Sequence, residues 1–198
     1  KYDSEGNQQW VVRYNGSGNG DDEAYAIAID KSSSAVYVTG RSTGIYHDCV
    51  TIKYNLNGVE QWVRRYNGPA DWSDGGTAII IDDEHNVYVT GYSVGFGLDA
   101  DYITIKYDSS GIEQWVARYS GPGDYYDGAE GIAIDSRGNV YITGTSYSSG
   151  TSYDLATLKY SSDGIEQWAV RYNGPGNGYD EGSAIVVDSS GNVYVTGR

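Results

Sequence analysis

The chain is poor in several residue types, and each shortage excludes something. Only one of its 198 residues is cysteine, so no internal disulfide can form and a cysteine-rich metal site is excluded. Methionine is absent, so a processed or excised segment is expected, any signal peptide having left with the missing start. Lys and Arg number 13 against 27 Asp and Glu, a formal net charge of −14. Nucleic acids and anionic membranes recruit clustered basic side chains, so neither is expected as the main partner. No apolar run approaches the roughly 20 residues that a spanning helix needs, so no membrane insertion is expected. The two histidines, His47 and His85, fall in different repeats and different kinds of loop. No Ser-His-Asp set, phosphate loop or metal-ligand pair accompanies them, so no enzyme activity is expected.

What the chain has instead is glycine (28), tyrosine (21) and repetition. Trp10, Trp62, Trp115 and Trp168 are 52, 53 and 53 residues apart. Each follows Gln and precedes an Arg-Tyr pair at Arg13, Arg65, Arg118 and Arg171. Val-Tyr-[Val/Ile]-Thr-Gly recurs at 36–40, 87–91, 140–144 and 193–197, and Lys-Tyr at Lys1, Lys53, Lys106 and Lys159. Residues 106–145 and 159–198 share 24 identities in 40 aligned positions. Each unit reads as four short strands rich in β-branched and aromatic residues, separated by turns such as Asp108-Ser-Ser-Gly111. No helical period is present.

Four strands in a repeat of about 53 residues, with a recurring tryptophan, mark a β-propeller blade. The expected fold is all-β: one propeller domain over 1–198 with four four-stranded blades. These span about 22–66, 74–119, 127–172, and 180–198 together with 1–14. In the last, the N- and C-terminal strands share one blade and close the ring. Ala- and Gly-bearing first strands should lie nearest the axis, and the Trp- and Arg-bearing fourth strands at the periphery. Each tryptophan should contribute roughly 2–3 kcal/mol by burial. The repeated Lys and Arg are expected to pair with the repeated Asp residues.

The Thr-Ile-Lys-Tyr, Gln-Trp-Val-x-Arg-Tyr-Asn-Gly-Pro and Gly-Asn-Val-Tyr-Val-Thr-Gly segments resemble the SBBP-type β-propeller repeats of bacterial and archaeal secreted and cell-surface proteins. The resemblance covers essentially the whole chain. It implies the fold and an extracellular or cell-surface setting, and it implies no chemistry. Asp108-x-x-Gly111-x-x-x-Trp115 is also similar to the docking motif of quinoprotein propeller blades, without a quinone site beside it.

Residues present in every blade are expected to hold blades together, and residues present once are the functional candidates. Asp22, Asp74, Asp127 and Asp180 recur before the first strands, in loops expected to converge near the axis on one face. Two readings stand. They could hold a hard cation such as Ca²⁺ on the channel axis, or each could cap its own loop by accepting backbone N–H groups. The cap is preferred, because no Asp-x-Asp-x-Asp-Gly loop is present. The non-repeated residues gather in the loops entering each blade and in those between second and third strands, 41–47, 92–100 and 145–153. Both sets should share one face, carrying Trp72, Tyr125, Tyr126, Tyr179, Tyr46 and Tyr147, together with Phe96 and Tyr153. Rigid aromatics among small polar residues suit a ligand-binding surface, with carbohydrate or a cell-surface protein as the partner. A structural spacer or self-assembling surface-layer subunit is the alternative, with self-association expected. A glycoside-active enzyme is a distant third. Cys49, in a core strand position, is expected to be a small core hydrophobe, and His85, in place of a turn glycine, an exposed turn residue.

Overall fold

The computed structural model describes residues 1–123 and 125–198. Asp124, in the variable loop before the third blade, lies outside the described residues. Among them are fourteen strands and no helix. Strands β1 (Asp22–Asp30), β2 (Ala35–Thr43), β3 (His47–Asn55) and β4 (Glu60–Tyr66) form one antiparallel sheet in sequence order. Strands β5 (Asp74–Ile81), β6 (Val87–Val94), β7 (Ala100–Tyr107) and β8 (Glu113–Tyr119) form the second. Strands β9 (Asp127–Ile134), β10 (Val140–Ser148), β11 (Ser152–Tyr160) and β12 (Glu166–Tyr172) form the third. A two-stranded sheet of β13 (Gly182–Val187) and β14 (Val193–Gly197) follows. The expected blade rhythm is therefore present three times in full.

Local chemistry explains the turns. The Asp108 carboxylate accepts the backbone N–H groups of Ser110 and Ile112, and Gly111 takes the left-handed conformation that closes the hairpin (φ 80°). At the hairpins between first and second strands, the Asp82 and Asp135 carboxylates also accept the hydroxyls of Tyr88 and Tyr141. In these two blades the aspartate thus fixes the tyrosine of the next strand, whereas Asp30 of the first blade bonds Ser32, Ser33 and His85 instead.

The last glycine of Val-Tyr-Val-Thr-Gly has a different origin. Every first strand carries a bulge, seen as a register shift at Ala24/Ala26, Gly76/Ala78, Ala129/Gly131 and Gly182/Ala184. The bulge pushes a carbonyl toward the partner strand. A Cβ at Gly91 would lie 1.9 Å from the Gly75 oxygen, and one at Gly40 1.9 Å from the Glu23 oxygen. Only glycine fits there. The second and third strands run further than their sequence suggests. The stretch 145–153 is mostly ladder, pairing Thr145 with Leu155 and Tyr147 with Tyr153.

Each sheet is apolar on both faces, so blades must stack. Tyr37 and Cys49 of the first blade pack with Ile79, Val87, Val89, Ile103 and Ile105 of the second. Tyr88 and Tyr102 of the second pack with Val140, Ile142 and Leu158 of the third. Tyr141 and Trp168 of the third meet Ile185, Val193 and Val195. The inner strands β1, β5, β9 and β13 contact one another in succession, as their small residues require.

At the outer edge the tryptophans reach across. Trp62 Nε1 donates to the Ser109 carbonyl (3.3 Å) and Trp115 Nε1 to the Ser162 carbonyl (3.0 Å), each in the turn of the next blade. The repeated lysines follow the same route, and here the expectation of Lys–Asp pairing is corrected. Lys53 Nζ donates to the Ser109 carbonyl and Lys106 Nζ to that of Ser162. Their ammonium groups also sit over the Tyr37 and Tyr88 rings. Three of the four repeated arginines pair as expected: Arg65 with Asp48 (2.9 Å), Arg118 with Asp101 (2.9 Å) and Arg171 with Asp154 (3.1 Å), whereas Arg13 forms no such pair among the described residues.

On the hairpin-turn side His85 is half-buried, because its Nδ1 lies 2.8 Å from Asp30 Oδ2 in the preceding blade. It bridges two blades, which the sequence reading of an exposed turn residue missed. Burial opposes the Asp30 charge, but hydrogen bonds from Ser33 and Ser32 outweigh it and hold the carboxyl well below its ordinary value.

At the two ends of this stack the pattern breaks. Strand β14 pairs only with β13. Residues 1–14 lie against the first blade, where Trp10 Nε1 donates to the Leu56 carbonyl (2.9 Å). They contribute one isolated bridge, Tyr2 with Gln8. Among the described residues no hydrogen bond joins 1–14 to 180–198.

Two outcomes are expected. Gly91→Ala should lower stability by about 3 kcal/mol, read as a lower urea midpoint, because the strand cannot shift without losing its ladder. For Asp30, a depressed folded-state pKa means stabilisation that is complete above the ordinary value of 3.8 and is lost progressively as pH falls from there through the depressed folded-state value. Asp30→Asn should therefore flatten the acid limb of a plot of Tm against pH.

Candidate functional site

Backbone hydrogen bonds place the two variable loop sets on one face. Thr43 N donates to the Asp21 carbonyl (3.1 Å), Val94 N to Ser73 (3.2 Å) and Asp180 N to the Tyr153 carbonyl (2.8 Å). Each bond ties a blade-entry segment to a second-to-third-strand segment. The six aromatic candidates lie on that face in three groups. Tyr46 and Trp72 are stacked, with centroids 4.4 Å apart and planes at 23°. Tyr125 meets Tyr147 at 4.5 Å, Tyr147 meets Tyr153 at 5.3 Å, and Tyr153 meets Tyr179 at 5.2 Å, a continuous row of four rings. Tyr126 stands apart from that row and meets Tyr92 at 6.2 Å.

Trp72 is 39% exposed, Tyr179 49% and Tyr125 58%, so each ring stays partly open to solvent while a neighbour orients it. Phe96 is exposed and pairs with no ring among the described residues. Burial pushes the Tyr126 hydroxyl well above its ordinary value, so it remains a neutral donor.

Sequence reasoning missed three members of this surface. Tyr92 opens the 92–100 stretch but is not among the named candidates; it sits in β6. Tyr25 occupies the β1 bulge, invisible in the alternation, and its hydroxyl donates to Glu23 (2.5 Å), which pairs with Arg41 (2.9 Å). Arg198 pairs with Glu181 and lies over the Tyr179 ring. Arg41 holds the same place after Val-Tyr-Val-Thr-Gly, pairs with Glu23 and lies over the Tyr25 ring.

The recurring aspartates are not gathered. Each accepts a backbone N–H from the loop just before its own strand: Asp22 from Gly16, Asp74 from Gly68, Asp127 from Gly121 and Asp180 from Gly174, at 2.7–2.9 Å. Asp127 also accepts the Tyr147 N–H (2.9 Å), anchoring a ring of the aromatic row. Among the described residues no group of three or more His, Cys, Asp or Glu is placed to hold a metal ion. The four carboxylates are therefore loop caps, and a shared Ca²⁺ site is not assembled. Burial raises the carboxyl pKa of Asp74 and Asp127 from the ordinary value.

Behind the loops lies a repeated brace. Arg118 spans Asp101, the Ser93 hydroxyl and carbonyl, and the Tyr66 hydroxyl of the preceding blade. Arg65 makes the same set with Asp48, Ser42 and Tyr14. A planar fork with five donors is suited to this many acceptors, which explains why arginine recurs there. Cys49 is buried in the first interblade core, and burial pushes its thiol up to about 12, as expected of a core hydrophobe.

Antiparallel four-stranded sheets stacked face to face, with Trp62 and Trp115 docked on the next sheet's turn, define a repeat protein of the β-propeller class. The SBBP family, described as Beta-propeller repeat, matches residues 9–47, 114–150 and 167–198, together more than half of the chain. The chain belongs to that family. Every matched segment begins at a Gln-Trp pair and runs into the first hairpin of the next blade, so the family unit straddles the interblade contact. Among curated proteins none matches.

Asp127→Ala leaves the Gly121 and Tyr147 N–H groups without their acceptor. It should lower stability by about 1–3 kcal/mol and loosen the aromatic row, seen as a change in near-ultraviolet circular dichroism. Added calcium or a chelator should leave the Tm of the unaltered chain unchanged.

Proposed function

We propose that the chain is a non-catalytic binding or adhesion module of an extracellular or cell-surface protein, and that its ligand is a carbohydrate. One observation carries this reading: stacked, part-exposed aromatic rings concentrated on a single loop face. Sugar rings present C–H faces that pack on aromatic planes, and the Ser, Gly and Asp residues between the rings offer hydrogen bonds to hydroxyls. Exposed aromatic clusters of this kind are uncommon on inert surfaces. The extracellular setting rests on the family.

The same reading takes the fold as a propeller with four blades, the fourth divided between the hairpin β13–β14 and residues 1–14. It is supported by the sequence register, in which Lys1 and Trp10 correspond to Lys53 and Trp62. The contacts follow suit: Lys1 Nζ and Trp10 Nε1 both donate to the Leu56 carbonyl, as Lys53 and Trp62 both do to Ser109.

Replacing Trp72, Tyr126 and Tyr179 together with alanine should weaken binding to polysaccharide or to glycan-coated surfaces at least tenfold, with circular dichroism unchanged. Undiminished binding would end the carbohydrate reading. Binding lost only toward a protein-coated surface would move the ligand class to a surface protein.

A further inference from the structure

The two ends of the stack are complementary halves of one interface. In the interior, every blade shows one face bearing Tyr37, Tyr88 or Tyr141 to the next blade, which receives it on paired Ile and Val residues. At the C-terminal end that tyrosine is Tyr194, and it is 57% exposed where Tyr141 is 1% exposed. At the N-terminal end the receiving residue is Ile27, and it is 71% exposed where its equivalents Ile79 and Ile185 are 9% and 7% exposed. Beside Ile27 lies a groove of about 470 Å³, floored by Val36, Val38, Val50 and Ile52 and walled by Trp10 and Val12. It is the place a first-and-second-strand hairpin would occupy in a whole blade.

The opposite end has the converse gap. A groove of about 530 Å³ runs along β11, β12 and β14, lined by Val170, Tyr172 and Val195 among others. It is the place for a third and fourth strand. Among the described residues the Trp168 indole N–H has no acceptor, although Trp10, Trp62 and Trp115 all find one in the turn of the next blade. The sequence equivalent of that turn is Asp3–Asn7. It is already folded, with Gly6 in the same left-handed conformation as Gly58, Gly111 and Gly164 (φ 86° against 78–80°). Asp3 caps it as Asp108 caps its own turn. Yet nothing among the described residues lies within 4 Å of a Cβ built at Gly6, whereas those at Gly58, Gly111 and Gly164 meet tryptophan rings. Tyr2 is 67% exposed where its equivalent Tyr107 is 2%.

Each end therefore carries the half-blade that the other lacks. In a ring of four blades closed on itself, β13 and β1 would touch as β1 and β5, β5 and β9, and β9 and β13 do. No substantial contact joins them. We infer that the occupant of both grooves is a second copy of this chain. The β13–β14 hairpin of each copy seats Tyr194 and Val186 on the Ile27 groove of the other. The turn at Gly6 of each copy docks on the other's Trp168. The pairing is isologous and uses the interface already repeated inside the chain, with both contacts formed at once. Two copies joined in this way make a closed ring of eight blades. This inference rests on the divided fourth blade proposed above and adds whose halves combine.

The test is solution mass by light scattering on the 198-residue chain and on two variants. The unaltered chain should run at twice 21.5 kDa. Tyr194→Asp and Ile27→Asp should each run at 21.5 kDa with β-sheet circular dichroism retained. An equimolar mixture of the two variants should regain a two-copy species, because one of the two contacts then joins an intact hairpin to an intact groove. An unaltered chain that is monomeric across the concentration range overturns the inference, as does an assembly larger than two copies. If that monomer loses stability on Tyr194→Asp, the chain closes on its own termini and the divided blade survives. If its urea midpoint is unmoved, the divided blade fails as well.

Discussion

The structure depends on one constraint: a four-stranded sheet with two apolar faces cannot stand alone in water. Each blade buries one face against the blade before it and the other against the blade after. The tryptophan of each outer strand makes that dependence specific. Trp62 and Trp115 lay their rings on the glycine of a neighbouring turn and donate to a carbonyl beside it. A bulky side chain at that glycine would lift the ring, so turn and tryptophan must recur together. Stability in such an array is a sum over units and neighbouring contacts, and it is weakest where a neighbour is missing.

The loop face is free to vary because the rigid parts lie elsewhere. Behind it, Arg65, Arg118 and Arg171 each tie a fourth strand to the end of a second strand, and an aspartate of the third strand neutralises each guanidinium. Beneath each entering loop an aspartate cap fixes the point where the chain turns inward. The repeated residues thus build a frame, and the rings of Trp72, Tyr125 and Tyr179 are mounted on it. On the hairpin-turn side His85 adds a further link between blades, where it meets Asp30.

Much of this was legible in the sequence because the repeat supplies its own controls. Four copies of Gln-Trp and of Val-Tyr-Val-Thr-Gly gave the strand order, the turns and the inner and outer edges. The role of Asp22 and its three equivalents as caps was also readable, since isolated aspartates before strands seldom make calcium loops. Three things were not legible. The bulge in each first strand leaves no mark in the alternation of residues, and it shows only as the close approach of Gly40 and Gly91 to a carbonyl. The lysines looked like partners for aspartate. Their target is a backbone carbonyl, which carries no sequence signature. Tyr25 lies in a strand, and only the fold brings it to the aromatic face. The ends were harder still, because a register tells which strands belong to one blade but not which molecule supplies them.

Hydrogen exchange followed strand by strand, at several protein concentrations, tests the central claim most directly. If blades are stable only between two neighbours, amides of β6 and β10 exchange slowly at every concentration. Those of β14 and of residues 8–14 exchange quickly at dilution and slow as the concentration rises. Protection of β14 equal to that of β10 at the lowest concentration would mean that the fourth blade is complete within one chain, and it would contradict the account.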